Sequence, residues 1–302
     1  MKIAIIGDIH IRERNFPVRK DDYLSSILDK LEYVLDRYEK VICLGDMFED
    51  YKNSDYIFYR VSTLLNKYPK KFITIFGNHD INGRNHSDLS KCTIGNLDST
   101  GMLEIKKEPF EIDGVKFVVS LVDKSNFSSI EVDEENENVL LGHNYYNLDS
   151  ENASYEESMS KNDIRRLNYK QVFLGHDHKP YDEDYVGSSH LIRMGSFSRK
   201  DRQSYNENRE INYYEYDTKT REVEKRTVPS LPDEEVFIDN AFEKKLIKSE
   251  INFVKIGEVL ARFKKTGEGN ISLAKTLEKM GCPLKYIQQI KRMHEISNVD
   301  FN

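Results

Sequence analysis

The chain has few cysteines and no long apolar run. Cys43, Cys92 and Cys282 are the only cysteines among 302 residues, and their odd number and wide spacing exclude a zinc knuckle and a disulfide framework. No apolar run approaches the roughly 20 residues that span a bilayer. The amino terminus enters an apolar stretch at once, without the basic segment and cleavage site of an export signal. We therefore predict a cytoplasmic protein without a membrane span.

The composition indicates a globular protein with unevenly distributed charge. With 38% hydrophobic and 32% charged residues, the chain is neither disordered nor collagenous. The net charge of −7 does not indicate a nucleic-acid binder, but residues 243–302 carry twelve Lys and Arg against seven Asp and Glu. The acidity therefore lies in the body of the chain. Bound divalent cations would offset several carboxylates there, so DNA is not excluded as a partner.

Five short apolar runs end in glycine and lead directly into Asp, Asn or His. They cover residues 3–7, 41–45, 72–77, 139–142 and 172–175. Continuous runs of this kind predict strands buried on both faces. Because ligands gather beyond the carboxyl ends of such strands, the polar residues that follow are expected to converge in one crevice. They are Asp8, His10, Asp46, Asn78, His79, Asp80, His143, His176 and His178.

The spacing of these residues is typical of metal ligands. Asp8 and His10 are two residues apart, so both side chains leave the same face of an extended segment. The same holds for His176 and His178. Two such pairs, with ligands from the other strand ends, predict two metal ions with Asp46 placed to bridge them.

Ligand chemistry narrows the metal and the reaction. Four imidazoles with carboxylates suit Mn²⁺, Fe²⁺ or Zn²⁺, because an all-oxygen shell for Ca²⁺ or Mg²⁺ would not need so many histidines. Asn78 can add a neutral carbonyl oxygen. Two ions about 4 Å apart activate a shared water and clamp both oxygens of an in-line displacement. His79 is then left to protonate the leaving oxygen, with Asp80 nearby to orient or polarise its imidazole.

Helical patterns separate the first strands. Apolar residues recur at helical spacing over residues 23–38 and roughly 56–68, which predicts parallel strands joined by helical crossovers. Several antiparallel strands are expected among four further segments: 117–121, 191–194, 211–216 and 223–228. We therefore predict an α/β fold, a two-sheet β-sandwich flanked by helices.

Two prolines, Pro229 and Pro232, interrupt the strand pattern. Beyond them the pattern is helical, so we expect a catalytic domain at residues 1–230 and a helical module at residues 231–302. A module this small needs a partner to complete its core, so we expect it to dock on another protein.

Other histidines and cations receive simpler interpretations. Three histidines outside the motifs are expected to be surface or structural residues: His86, His190 and His294. Five cations near the first and third motifs are interpreted as solvated loop residues, with phosphate contacts as the alternative: Arg12, Arg14, Arg19, Lys20 and Arg84.

Over roughly residues 1–230 the motifs resemble those of the calcineurin-like metallophosphoesterase superfamily, which read D-x-H, G-D, G-N-H-[DE], G-H and G-H-x-H. Here they are Asp8-Ile-His10, Gly45-Asp46, Gly77-Asn-His-Asp80, Gly142-His143 and Gly175-His-Asp-His178. The resemblance implies the metallophosphoesterase fold, with His79 as the catalytic histidine. It further implies that one metal is held by Asp8, His10, Asp46 and His178, and the other by Asp46, Asn78, His143 and His176.

A narrower resemblance is to the nuclease subunit of SbcCD-type DNA repair complexes. It rests on three segments: Gly45-Asp-Met-Phe48 followed by acids, Asn78-His-Asp80, and Arg193-Met-Gly-Ser-Phe-Ser198. It implies a Mn²⁺-dependent DNA exo/endonuclease acting in repair or recombination, with an SMC-like ATPase docked on the C-terminal helices and a homodimer formed through the catalytic domain. The short chain suggests a compact, phage-encoded version working in the host cytoplasm. One departure is Glu49, where many members carry a histidine linked to nuclease activity.

Alternatives keep or lose the chemistry. A small-molecule or nucleotide phosphodiesterase, or a phosphoprotein phosphatase, would use the same metals and the same His79. A non-catalytic binding module would have lost ligands, and none is missing from the five motifs. A DNA-reading helix-turn-helix around Gly281 is a weaker hypothesis, because a packed helical hairpin fits the same apolar pattern.

Overall fold

Two six-stranded sheets form the centre of the unit that spans residues 1–239, as seen in a computed structural model. The structure describes residues 1–82, 89–121, 130–146, 158–201 and 203–239. The part of the predicted helical module that follows Asp239, which includes Cys282, therefore lies outside the described residues. Within the described ranges, none of the helices has the length and apolar character that a bilayer crossing demands.

The elements alternate between strands and helices in the first half and are mostly strands afterwards. The strands are β1 Lys2–Ile6, β2 Lys40–Cys43, β3 Phe72–Thr74, β4 Glu104–Ile105, β5 Phe110–Ile112, β6 Val115–Ser120, β7 Val139–His143, β8 Tyr145–Tyr146, β9 Ser158–Met159, β10 Gln171–Gly175, β11 Asp184–Val186, β12 Ser189–Arg193, β13 Ile211–Asp217 and β14 Val223–Val228. The helices are α1 Tyr23–Arg37, α2 Asp55–Leu65, α3 Thr93–Ser99, α4 Lys161–Leu167 and α5 Asp233–Val236, with 3-10 turns at Leu89–Lys91 and Ser204–Asn206.

The two sheets are both mixed. The first has the order β14-β13-β1-β2-β3-β4, in which β1 to β4 are parallel and β13 pairs antiparallel with β1. The second has the order β11-β12-β10-β7-β6-β5, in which the four central strands are parallel. The predicted α/β two-sheet fold is confirmed. The antiparallel expectation is right for β13 and β14, whereas β6 and β12 pair in parallel with β7 and β10 and antiparallel only with edge strands.

A continuous core lies between the sheets. Ile3 and Ile5 of β1 belong to it, together with Phe117 and Phe173 of the second sheet. Side chains alternate along a strand, so Ala4 and Ile6 point to the opposite face, where they are also fully buried. Burial on both faces explains why the strand sequences read as uninterrupted apolar runs.

Helix α1 shows why the sequence pattern located the helices. Asp22 precedes it, and the Asp22 side chain accepts a hydrogen bond from the Ser25 backbone N–H at 3.1 Å, which caps the helix. Its buried stripe repeats at helical spacing, and the helix ends at Arg37 before the extended Tyr38. The predicted helices at 23–38 and 56–68 thus correspond to α1 and α2, with ends that differ by at most three residues.

The segment after the prolines packs against the body. The Lys20 N–H donates to the Val236 carbonyl and the Ile238 N–H donates to the Val18 carbonyl, both at 2.9 Å. Arg199 forms an ion pair with Asp233. Residues up to Asp239 are therefore part of the same compact unit as the sheets.

Candidate metal centre

The five motifs meet at one edge of the sandwich. Strands β1, β2 and β3 are neighbours in the first sheet, and β7 and β10 are neighbours in the second. The loops that follow them are joined by hydrogen bonds. The His10 N–H donates to the Asp46 carbonyl, the His79 N–H to the Asp46 carboxylate, and the His176 N–H to the Asp8 carboxylate, each at 2.9 Å. The predicted convergence of these residues is what the structure shows.

The first group of ligand atoms comes from Asp8, His10, Asp46 and His178. One donor atom from each lies within 4.8 Å of the others. His10 Nε2 is 2.8 Å from His178 Nε2 and 3.7 Å from Asp46 Oδ2. Asp8 and His10 are completely buried, and His178 is partly exposed. The group is therefore buried on the side of Asp8 and His10 and open to solvent on the side of His178.

The second group shares Asp46 with the first. It contains Asp46, His143 and His176, again with donor atoms within 4.8 Å of one another. His143 Nε2 lies 3.3 Å from Asp46 Oδ2 and 3.2 Å from Asn78 Oδ1, and His176 Nδ1 lies 3.1 Å from His143 Nε2. A carboxylate that belongs to two adjoining groups has the position of a bridging ligand.

The ionisation of His176 and His178 suits metal binding. Burial and the charge of His143 lower the pKa of His176 to about 3, and burial with the charge of His10 lowers the pKa of His178 to about 2. Both rings are therefore neutral near pH 7 and keep a lone pair for a cation. Burial favours the neutral forms of Asp46 and His143, but their mutual attraction outweighs it, so the pKa of Asp46 is lowered and that of His143 is raised to about 9.

The donor set fits divalent cations. Buried carboxylates and imidazole nitrogens crowd together, and the buried His176 Nε2 has no hydrogen-bond partner among the described residues. Mixed nitrogen and oxygen donors of this kind suit Mn²⁺, Fe²⁺ and Zn²⁺ alike. Hydrogen bonds also fix the rings: the Leu44 carbonyl lies 2.7 Å from His143 Nδ1, which leaves Nε2 to face Asp46.

The backbone at the site adopts conformations that most residues avoid. His10, Asp46 and His176 have positive φ angles of 56°, 47° and 82°. Non-glycine residues in the left-handed region cost of order 1–3 kcal/mol each and cluster at functional sites. At Gly45, where φ is +90°, an added Cβ would lie 2.8 Å from His143 Nδ1. The loops are therefore packed too closely for a side chain at this position.

His79 lies beside the two groups, and its ring centroid is 5.1 Å from that of His10. Among the described residues, no hydrogen bond joins Asp80 to the imidazole that it is predicted to orient or polarise. The partner of His79 Nδ1 is the Glu49 carbonyl at 2.6 Å. Asp80 is fully buried, and its carboxylate accepts hydrogen bonds from the Gly77 and Phe48 backbone N–H groups at 3.0 and 3.2 Å.

Asp80 therefore holds together the loops that carry the ligands. Burial and the charge of Asp46 raise its pKa to about 7.

The remaining polar predictions divide clearly. His190 hydrogen-bonds to Gln171 and Glu183, so it is the structural residue that was expected. The interpretation as solvated loop residues fits three of the described cations: Arg14 and Lys20 are exposed, and Arg12 is partly exposed over the Phe16 ring. It is wrong for Arg19, which is buried and pairs with Asp21 and the Arg199 carbonyl. Three residues lie outside the described ranges: Arg84, His86 and His294.

Three residues near the centre were not assigned a role from the sequence. Glu49 contacts His10 and His79, and Lys200 pairs with Glu49 at 3.3 Å. The Tyr145 ring meets the His176 ring edge-on at 3.9 Å and is 45% exposed. Only Glu49 carried a signal, since it stands three residues after a motif aspartate. Lys200 and Tyr145 reach the site through the fold and not through a motif.

Comparison with known proteins agrees with the motifs. A family profile described as calcineurin-like phosphoesterase matches residues 1–180. No curated protein matches the chain. Similar solved structures include one described as a novel archaeal phosphodiesterase, with 18% identity, a TM-score of 0.43, and coverage of 76% of this chain and 100% of the other. Another is the hypothetical protein PH1004 from Pyrococcus horikoshii OT3, with 12% identity, a TM-score of 0.42, and coverage of 83% and 94%. The chain belongs to the calcineurin-like phosphoesterase family, whose members are metal-dependent hydrolases.

Proposed function

We propose that the chain is a two-metal phosphodiesterase whose substrate is DNA. The observation that carries the proposal is the pair of buried ligand groups that share Asp46, with His79 beside them. Two bound divalent ions, which we propose to be Mn²⁺, would supply an activated water and would stabilise the attacking and leaving oxygens. The ligands we propose are Asp8, His10, Asp46 and His178 for one ion, and Asp46, Asn78, His143 and His176 for the other.

His79 has the geometry of a proton donor to the leaving oxygen. Its Nδ1–H donates to the Glu49 carbonyl, which leaves Nε2 as the nitrogen that can give a proton to the substrate. The side chain is partly exposed, so a phosphoester can reach it. Positioned donors of this kind accelerate cleavage by roughly 10²–10⁴-fold.

Two structural features support a nucleic acid as the substrate. The segment 193–198, which resembles that of SbcCD-type nucleases, braces the metal centre: the Ser196 N–H donates to the His178 carbonyl at 3.0 Å and the Phe197 N–H to the Asp8 carbonyl at 2.8 Å. The exposed Tyr145 ring at the rim provides a surface on which a base can stack.

We also propose that the residues after Asp239 dock on an SMC-like ATPase, and that the catalytic domain forms a homodimer. Residues 243–302 carry twelve Lys and Arg against seven Asp and Glu, which would suit an acidic docking surface or DNA. The repair or recombination role follows from this partnership.

Activity on defined substrates tests the proposal. The purified full-length chain is incubated with Mn²⁺ or Mg²⁺ and with labelled single-strand, blunt or hairpin DNA, with and without a neighbouring ATPase, and bis-p-nitrophenyl phosphate reports the chemistry alone. We expect cleavage of both substrate types and loss of both in Asp46→Ala. Turnover of the model substrate without any DNA cleavage, even with the ATPase present, would refute the assignment to DNA.

The second candidate is a small-molecule or nucleotide phosphodiesterase, or a phosphoprotein phosphatase. The net charge of −7 favours it, because an acidic body gains little from contacts with a polyanion. A chain ending at Asp239 separates the two candidates, since it keeps every described residue. If residues 243–302 recruit the enzyme to DNA, the truncated chain retains turnover of the model substrate and loses DNA cleavage. A small-molecule enzyme would keep its full activity after the same truncation.

A further inference from the structure

Glu49 contacts two histidines of the centre through different parts of the residue. Its carboxylate Oε2 lies 3.0 Å from His10 Nδ1. Its backbone carbonyl lies 2.6 Å from His79 Nδ1. The Glu49 N–H donates to the Ile11 carbonyl at 3.0 Å, so the backbone that carries both contacts is itself held in place.

The contact with His10 determines which nitrogen of the ring can bind a cation. His10 Nε2 faces His178 and Asp46, at 2.8 and 3.7 Å, whereas Nδ1 faces Glu49. The carboxylate lies close to Nδ1 without forming a hydrogen bond to it, so its hold on the ring is mainly electrostatic. A carboxylate beside Nδ1 favours the tautomer with the proton there, which leaves the Nε2 lone pair free for a metal.

Lys200 forms an ion pair with Glu49 and offsets its negative charge. Its ammonium lies 3.3 Å from the same Oε2 atom, and the Lys200 and Glu49 side chains are only 10% and 19% exposed. An unpaired carboxylate next to the metal centre would repel a phosphodiester. The pair with Lys200 offsets this charge and keeps the carboxylate beside His10.

We propose that Glu49 is a positioning residue that serves metal binding and proton transfer together. Its side chain holds His10 with Nε2 toward the first ligand group, and its carbonyl holds His79 with Nε2 available to the leaving oxygen. Lys200 anchors the carboxylate. The inference rests on the proposed two-metal function and explains what an acidic residue does at this position of the second motif.

Because only one of the two contacts uses the side chain, substitution separates them. Glu49→Met removes the partner of His10 and retains the carbonyl that holds His79. Glu49→Gln keeps an amide oxygen, with its partial negative charge, beside His10 Nδ1 and removes the full charge. Lys200→Met leaves Glu49 in place without its anchor, and Glu111→Gln on the exposed strand β5 is the matched control.

Mn²⁺ binding to the full-length chain is titrated by the electron paramagnetic resonance signal of free Mn²⁺. We expect Glu49→Met to weaken binding by roughly 10–100-fold, because residues that orient a ligand histidine have effects of this size. Glu49→Gln should recover part of the lost Mn²⁺ affinity. Lys200→Met should have an affinity between those of the wild type and Glu49→Met, and Glu111→Gln should match the wild type.

Nitrogen spectra of the metal-free chain labelled with ¹⁵N-histidine provide a second readout. In Glu49→Met, we expect His10 to lose its preference for the Nδ1–H tautomer, while His79 retains its own. A purely structural role would disturb both rings or neither.

The outcomes distinguish the inference from the function beneath it. A wild-type chain that fails to bind two Mn²⁺ ions overturns the metal centre and the inference with it. A wild-type chain that binds two ions, with Glu49→Met within twofold of it and an unchanged His10 tautomer, overturns the role of Glu49 alone.

Discussion

The clearest single perturbation of the proposed chemistry is His79→Gln. The Glu49 carbonyl holds the ring of His79 through Nδ1 at 2.6 Å, and glutamine has no group that can transfer a proton at neutral pH. Removal of the imidazole should therefore slow cleavage most for substrates whose leaving oxygen has to be protonated.

The structure limits the size of the effect. A positioned acid contributes roughly 10²–10⁴-fold, or about 3–5 kcal/mol of barrier. His79 is partly exposed, so water can replace it in part, and we expect the lower half of this range with DNA, about 10²–10³-fold. With bis-p-nitrophenyl phosphate, whose leaving group departs without protonation, the loss should be less than about tenfold.

Steady-state rates of both substrates at saturating Mn²⁺ test this prediction. Asp80→Asn is the control, because Asp80 accepts from backbone N–H groups and does not contact the ring of His79 through any described hydrogen bond. It should lower stability and slow both substrates alike. An equal loss on the two substrates in His79→Gln would refute the role of His79 as a proton donor.

Three further predictions concern packing and charge. Gly45→Ala should weaken Mn²⁺ binding at least roughly tenfold in the electron paramagnetic resonance titration, because its Cβ would lie 2.8 Å from a His143 nitrogen. Gly101 has a φ of +72° and open space around it, so Gly101→Ala should cost only about 1 kcal/mol of stability, and an equal loss of Mn²⁺ affinity in the two variants would contradict the prediction. Phe117→Ala should lower the free energy of unfolding in urea by about 3–5 kcal/mol because the ring is fully buried between the sheets, and a loss below about 1 kcal/mol would contradict the described core. Burial and the charge of Arg19 lower the pKa of Lys30 from 10.5 to about 8, so the unfolded chain binds more protons between these values and the cost of the charged amine falls as pH rises through them. Lys30→Met should therefore be more stable than the wild type at pH 7 by about 3 kcal/mol, less what the lost hydrogen bonds of Lys30 to Ser26 contribute, and the gap should narrow toward pH 10.5; a gap that does not change with pH would contradict it.

Sequence patterns predicted the parts of this protein that depend on local periodicity. The apolar runs before Asp8, Asp46 and Asn78 have the composition of strands buried on both faces, and the structure places them as neighbours in one sheet. Because parallel strands end at the same edge, the convergence of their polar residues followed from the fold class alone.

The details that could not be predicted depend on loop geometry. Asp80 follows His79 in sequence, yet its carboxylate accepts from the Gly77 and Phe48 backbone. The position beside His79 Nδ1, where the sequence predicts Asp80, is occupied by the Glu49 carbonyl. The direction of a backbone carbonyl leaves no mark in the residue pattern. Lys200 arrives from far along the chain, so only tertiary structure brings it to the centre.

The pairing of the later strands was also beyond the pattern. Strands β6 and β12 have the same apolar character as β13, and only β13 pairs antiparallel with its neighbour in the middle of a sheet. Strand direction depends on how the intervening chain returns, which composition does not encode.

The central claim is that two metal ions share Asp46. Anomalous diffraction from crystals of the full-length chain grown with Mn²⁺ measures this directly. We predict two peaks roughly 3.5–4 Å apart, one on each side of the Asp46 carboxylate. A single peak, or peaks that do not contact Asp46, would contradict the two-metal centre.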